Sequence, residues 1–339
     1  MIHTANSRQA IFIILICFLF SNISNAQEIG LNIDFLGYAD NREFKNSQTP
    51  PKTYFGSILS PQFNFQLSKK HQLIAGFHYQ NNFGKNNDNN NNLSPIMYYN
   101  YTSSKLNFAI GSMPRAEKLK TISRFILADT MYYDRPNLEG MHLEYTSQNY
   151  KQHLYIDWLN KQGLNYREQF LVGTRGRWNI HAFFIENEAV MFHNSLSSND
   201  DANEHIQDNL TASLRVGIDL TKVTFLDTLR TSAGIIANYD RLRTKYEHYN
   251  YGFIHQLDLA YNSFFIKNSL YIGDGVYSPH ADPFYQSKRY NRLDMGWKPF
   301  KKGNIEGVFT ASFHFTDQAT SNQQSFLLRY NFDQRLFSK

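Results

Sequence analysis

The chain has one cysteine, Cys17, and it lies in the N-terminal apolar stretch. A chain cut after residue 26 would hold no thiol, and so no disulfide, cysteine zinc site or cysteine nucleophile. Glycine and proline are few, 18 and 9 of 339 residues, which excludes a collagen-like or low-complexity chain. Charge is scarce as well: Asp, Glu, Lys and Arg make up 19%, against roughly 25% in an ordinary soluble domain. Lys and Arg exceed Asp and Glu by only 34 to 29, a scattered surplus too small to argue for nucleic acid. No later apolar run is long enough for a membrane-spanning helix. Rings, by contrast, are abundant: 28 Phe, 22 Tyr and 3 Trp, or 16%. So many apolar groups need a nonaqueous place to go, which argues against disorder.

The N-terminus sets the compartment. Arg8 is the only charged residue before the apolar run 11–20, and Ser24-Asn25-Ala26 follows as a small-x-small ending. These features describe a cleaved secretory signal peptide over 1–26, leaving 27–339 as the mature protein. The run is too short to span a membrane. Ile16 before Cys17 is not small, which speaks against a lipoprotein cleavage site.

Beyond it, the dominant signal is period two. Ile29, Leu31, Ile33 and Phe35 alternate with Gly30, Asn32 and Asp34. Leu210, Ala212, Leu214, Val216, Ile218 and Leu220 alternate with Thr211, Ser213, Arg215, Gly217 and Asp219. Ile305, Gly307, Phe309, Ala311, Phe313 and Phe315 alternate with Glu306, Thr310, Ser312 and His314. Side chains of a strand point to opposite faces in turn. Alternation over about 10 residues exceeds the usual globular strand and matches a tilted membrane-crossing one.

Sixteen such segments are expected, starting near residues 28, 54, 71, 95, 106, 138, 152, 166, 178, 209, 223, 250, 264, 285, 305 and 323. Their connections alternate in length. Short turns fall at 68–70, 103–105, 146–151, 174–177, 221–222, 262–263 and 301–304. Long loops fall at 41–51, 82–94, 114–137, 161–165, 187–208, 240–249, 274–284 and 316–322. The fold class is therefore all-β, a closed antiparallel transmembrane β-barrel of about 16 strands, with 14 or 18 also compatible. It has short periplasmic turns and long extracellular loops. Pro61 makes the second strand the weakest, because it cannot donate to a ladder.

Aromatic placement is an independent signal. On the apolar parity near the short turns stand Tyr101, Tyr145, Trp178, Tyr261, Trp297 and Phe332, and near the long loops Phe35, Tyr79 and Trp158. Amphipathic rings favour the headgroup level, so two belts flanking an apolar band are expected of a lipid-facing wall.

With alternation, loop rhythm and belts in hand, the mature chain resembles a bacterial outer-membrane β-barrel of the porin-like type, in the aromatic- and Asn-rich style of Bacteroidota. The stretch Ser325-Phe326-Leu327-Leu328-Arg329-Tyr330-Asn331-Phe332 is similar to a C-terminal barrel-assembly signal, although residues 333–339 follow it. The resemblance implies residence in a Gram-negative outer membrane among lipid and lipopolysaccharide, and recognition by the barrel-assembly machinery. Oligomeric state stays open, a homotrimer included.

The polar parity gives the lumen face: Arg167, Arg175, Arg215, Arg230, Lys267, Arg292, Lys298 and Arg329, with Asp34, Glu144, Asp157, Asp219, Asp258, Asp294 and Glu306. Of these, Arg167, Arg175, Arg215, Lys267, Arg292, Asp294 and Arg329 are the expected pore-lining set. An even mix of signs serves ion pairs that brace neighbouring strands as well as it serves selectivity. In familiar sixteen-stranded porins the third long loop folds inward, and similarity assigns that role to 114–137. There Leu119, Ile122, Phe125 and Ile126 recur at helical spacing, and Arg115, Lys118 and Arg124 are the expected constriction cations. A surface lid is the alternative.

Chemistry-bearing motifs are absent. There is no Gly-x-Ser-x-Gly, His-Glu-x-x-His, phosphate loop or dinucleotide glycine cluster. His255 is the one outward mid-strand histidine, with no Ser evidently beside it. Residues 199–205 and the pair His280 and Asp282 are weak as metal sites. No metal, cofactor or catalytic residue is expected, and the chain reads as a non-enzyme. The first functional expectation is passive diffusion of small polar solutes. A non-conducting barrel in envelope assembly or secretion is second, and a lipid-directed outer-membrane enzyme third.

Overall fold

The computed structural model describes residues 28–45, 49–84, 91–199 and 204–338. The expected signal peptide lies outside the described residues, as do parts of the loops around 86–92 and 199–205. Sixteen antiparallel strands follow one another around a closed barrel. They are β1 (Glu28–Glu43), β2 (Lys52–Ser68), β3 (His71–Asn82), β4 (Asn91–Thr102), β5 (Leu106–Pro114), β6 (Asn137–Thr146), β7 (Tyr150–Asn160) and β8 (Gln169–Ile180). The second half comprises β9 (Phe183–Asn194), β10 (Gln207–Asp219), β11 (Thr228–Leu242), β12 (Tyr246–Tyr261), β13 (Phe264–Gly273), β14 (Arg289–Lys302), β15 (Ile305–Thr316) and β16 (Thr320–Ser338). Closure is by β1 on β16, in register from Glu28↔Ser338 to Glu43↔Asn322 with one bulge at Ile29/Gly30. The strand that carries the assembly-like signal thus continues through the residues after Phe332. No described helix is long and apolar enough to cross a membrane. A bilayer offers no water to satisfy an open sheet edge, so closure is what these alternating strands require.

Several connections differ from the sequence reading: residues 187–194 of the expected loop 187–208 belong to β9, and the turn expected at 221–222 runs over 220–227. The turn expected at 174–177 is the interior of β8, and the chain reverses at residues 181–182 instead. Gly173 in this stretch makes room for a ring, since a Cβ there would lie 2.1 Å from Tyr155 Cζ. The expected loops 240–249 and 316–322 are tight hairpins, because β11–β12 and β15–β16 pair almost to their tips.

Two segments leave the extracellular rim and fold into the lumen. The first carries two single-turn helices, α1 (Arg115–Lys118) and α2 (Met131–Asp134). The stripe Leu119, Ile122, Phe125 and Ile126 is buried as its spacing suggested, but no continuous helix forms across it. The second, 274–288, packs Val276, Phe284 and Tyr285 against the first. Backbone bonds join them, from Ala128 N to His280 O at 2.7 Å and from Asp282 N to Arg124 O at 2.8 Å. Wall residues Ile96, Tyr155, Phe192 and Ile254 complete an apolar core inside the barrel. At about 25 cal/mol per Å² of apolar area, burying these side chains is what holds the inserted segments in place.

Candidate active site

Strand register brings Ser60 of β2 and His78 of β3 face to face on the inner wall. The β2–β3 ladder is paired at Leu59↔Tyr79 and again at Gln62↔Gly76, with no paired residues between. Pro61 falls in that gap and has no N–H to contribute. Gly76 lets the strands close up beside it, since a Cβ there would lie 2.2 Å from the Pro61 carbonyl oxygen. Ser60 Oγ lies 2.6 Å from His78 Nδ1. His78 Nε2 lies 2.9 Å from Asn137 Oδ1, where Asn137 is the first residue of β6. The Asn137 amide is itself oriented, because its Nδ2 donates to Pro95 O at 2.8 Å. Oδ1 must then accept from Nε2–H, and the lone pair of Nδ1 is left to accept from the serine hydroxyl. Hydroxyl, imidazole and carboxamide thus stand in the order nucleophile, base, orienter. All three are buried.

Arg115 at the start of the inserted segment supports this relay. Its Nη2 donates to Asn137 O at 2.6 Å, its Nε donates to Arg135 O at 2.8 Å, and its Nη1 pairs with Asp157. Both partners of that ion pair are only 1% exposed. The guanidinium therefore clamps both ends of the inserted segment to the wall.

The other expected lumen residues form two further charge clusters. Arg175 and Arg215 converge on Glu188 at 3.0 and 2.9 Å, with Ser123 N donating to the same carboxylate at 2.8 Å. Arg292 lies 2.7 Å from Asp294, and Arg124 reaches the same Asp294 at 3.3 Å and Asp129 at 2.8 Å. Burial raises the Asp129 carboxyl, but Arg124 and Arg292 outweigh it and hold the group below its usual range. His280 has no such partner. Burial, with the charges of Arg135 and Arg115, pushes its imidazole down to about 4.

The remaining expected residues lie nearer the ends. Arg167 donates from Nε to Ser195 O at 2.7 Å at the extracellular rim. Lys267 lies over the Phe265 ring, and Arg329 stands 3.9 Å from Glu306 near the periplasmic end. Lys118 lines a cavity of about 440 Å³ with Glu144, His153, Arg175, Glu186 and Asp258. Tyr145, Trp178, Tyr261 and Trp297 are exposed on the outer wall, and Tyr101 and Phe332 half-buried. At the opposite rim an outward row crosses six strands: Trp158, Phe170, His193, Asp208, Arg241 and Glu247. Outward His255 does meet a hydroxyl, Thr231 Oγ1 at 2.9 Å.

The relay was missed in the sequence because its members are 18 and 59 residues apart, on three strands. A second unforeseen group joins His142, Glu144 and His153, whose ligand atoms lie within 4.8 Å of one another.

The closed sixteen-strand barrel makes this an outer-membrane β-barrel of porin-like architecture. It resembles an anion-selective porin from Comamonas acidovorans (TM-score 0.57, 8% identity, covering 90% of this chain and 100% of that one). It is also similar to a BenF-like porin from Pseudomonas fluorescens (TM-score 0.55, 8% identity, 91% and 100% covered) and to Salmonella typhi OmpF (TM-score 0.52, 10% identity, 91% and 99% covered). At such identities the likeness concerns the fold. No curated protein matches. The lipid A 3'-O-deacylase-type family matches residues 21–339, and the chain belongs to that family. This overturns the expectation of a non-enzyme: the family is one of enzymes, and the sequence carries none of the short motifs by which an enzyme was sought.

Proposed function

We propose that the protein is an outer-membrane acyl-ester hydrolase acting on a lipid A-type acylated sugar lipid, with Ser60 as nucleophile, His78 as general base and Asn137 as orienter. The observation that carries this reading is the hydrogen-bonded order Ser60–His78–Asn137 in a chain of the lipid A 3'-O-deacylase-type family. As Ser60 Oγ attacks the ester carbonyl, its proton passes to His78 Nδ1, and Asn137 holds the imidazole while it is charged. The leaving sugar hydroxyl takes that proton. Water then attacks the acyl-enzyme, giving up a proton to His78; the Ser60 Oγ–acyl bond breaks, Oγ takes that proton back, and fatty acid leaves. Ser60 is buried on the inner wall, so the acyl ester reaches it through the lumen. The outward rim from Trp158 to Glu247 supports a position among headgroups, where Arg241 and Arg243 are both paired with Asp208.

Fatty-acid release from purified lipid A by the refolded protein in detergent tests the reading. Wild type releases fatty acid and Ser60→Ala does not. Equal release by both removes Ser60 from the chemistry.

A second reading, passive diffusion of small polar solutes, draws support from the porin-like barrel and from the charged cavity beside Lys118. The inserted segments weigh against it. Single-channel conductance in a planar bilayer separates the two, because an occupied lumen gives no steady open level.

A further inference from the structure

On the inner wall toward the periplasmic end, β6 and β7 place two imidazoles and a carboxylate around one point. His142 Nε2 lies 3.2 Å from His153 Nδ1. His153 Nδ1 lies 3.4 Å from Glu144 Oε2. A tetrahedral ion with ligands at about 2.0–2.1 Å has ligand–ligand edges of roughly 3.3 Å, so both observed spacings are those of a coordination shell. Glu144 Oε1 is taken up by Lys151 Nζ at 2.8 Å and by the Thr146 hydroxyl at 3.3 Å. That leaves Oε2 turned to the imidazoles.

The burial of His142 fixes which of its nitrogens faces the cluster. His142 is 1% exposed, yet its Nδ1 has no hydrogen-bond partner. A neutral histidine buried this deeply is costly unless its other nitrogen is strongly engaged. With Nδ1 unpartnered, Nε2 is the nitrogen through which His142 meets its neighbours, and it is the one turned to His153. Glu144 and His153 both line the cavity of about 440 Å³, so the fourth position of a tetrahedral ion opens toward its water. Two imidazoles and one carboxylate suit zinc and its neighbours, whereas calcium and magnesium call for oxygen alone.

We propose that His142, Glu144 and His153 form a binding site for a zinc-class divalent ion, entered from the periplasmic end and keeping one open coordination position. The site does not depend on the Ser60 relay, and its test does not read hydrolysis. The chain's one cysteine, Cys17, lies in the expected signal peptide.

The experiment uses the tag-free refolded barrel, titrated with Co²⁺ and then Zn²⁺, following cobalt absorption and calorimetric stoichiometry. The expected result is one ion per chain, an intense four-coordinate cobalt spectrum, and its loss when Zn²⁺ displaces Co²⁺. His142→Ala and Glu144→Gln lower affinity by on the order of 100-fold or more, at least what second-shell changes cost. His71→Ala, remote from the cluster, leaves binding unchanged. A heat-modifiable gel shift confirms that each variant is folded. Absence of stoichiometric binding, or binding that persists in folded His142→Ala, overturns the proposal. Either result would mean that His142 and His153 share a hydrogen bond and nothing more.

Discussion

The Ser60 hydroxyl meets the His78 imidazole at 2.6 Å across a gap in the β2–β3 ladder. A second hydroxyl–imidazole–carboxamide line, Tyr290–His314–Gln323, also stands in the lumen, but its hydroxyl is a phenol and its imidazole–carboxamide contact is 3.4 Å, against 2.9 Å for His78 and Asn137. Ser60→Ala should therefore lower deacylation by roughly 10⁴-fold or more, as loss of a nucleophile does in a serine triad. The variant should still fold, since a hydroxyl is replaced by hydrogen. Fatty-acid release and the heat-modifiable gel shift measure the two separately.

Asn137 acts through His78 and not on the substrate. Asn137→Ala should cost on the order of 100-fold in kcat with little change in KM, because the tautomer and ring orientation are lost. Asn137→Asp keeps an oxygen for Nε2–H and should retain more activity than Asn137→Ala. A rise in KM with kcat unchanged in either variant would contradict a positioning role.

Gly76 tests the backbone beneath the pair. A methyl group at this position would press on the Pro61 carbonyl oxygen, 2.2 Å away, and Gln62 Cα, 2.9 Å away. Gly76→Ala should push β2 and β3 apart and lower both the unfolding temperature and the rate of deacylation. An unchanged rate would show that the Ser60–His78 spacing is not limiting.

The ion pair of Arg115 and Asp157 is fully enclosed. Removing one partner strands a buried charge, so Asp157→Ala should destabilise the barrel by about 3–5 kcal/mol. Replacing both residues by apolar ones of similar size should cost less than the single change. Urea titration of the gel-shift transition reads this.

Much of this architecture is visible in the sequence, because lipid outside and polar lumen inside impose a strict alternation. β1, β3, β5, β13 and β15 begin where period two places them. The turn expected at 174–177 is strand: Gly176, between Arg175 and Arg177, and Gly173 just before it make room there for neighbouring side chains. The site was hidden for a different reason. Ser60, His78 and Asn137 share no local spacing, and only the staggered register of a closed sheet carries β6 across to β3. His142 and His153 escaped in the same way, as cross-strand neighbours of a single hairpin.

Acid should loosen the inserted segments through His280. Its imidazole is held down to about 4 in the folded chain, against about 6.5 when unfolded. The unfolded state therefore binds more protons across that interval, so stability is full above about pH 6.5 and is lost as pH falls toward 4. Urea midpoints at pH 7 and pH 4.5 should differ for wild type and differ less for His280→Gln. Equal slopes in the two proteins would assign the acid sensitivity to other groups.

Covalent capture tests the central claim most directly. A lipid-like fluorophosphonate incubated with the refolded barrel should form one adduct, placed by peptide mass spectrometry on Ser60, and His78→Ala should abolish it. Lipid A hydrolysis by a protein whose Ser60 stays unmodified, or an adduct on a different hydroxyl, would contradict the account.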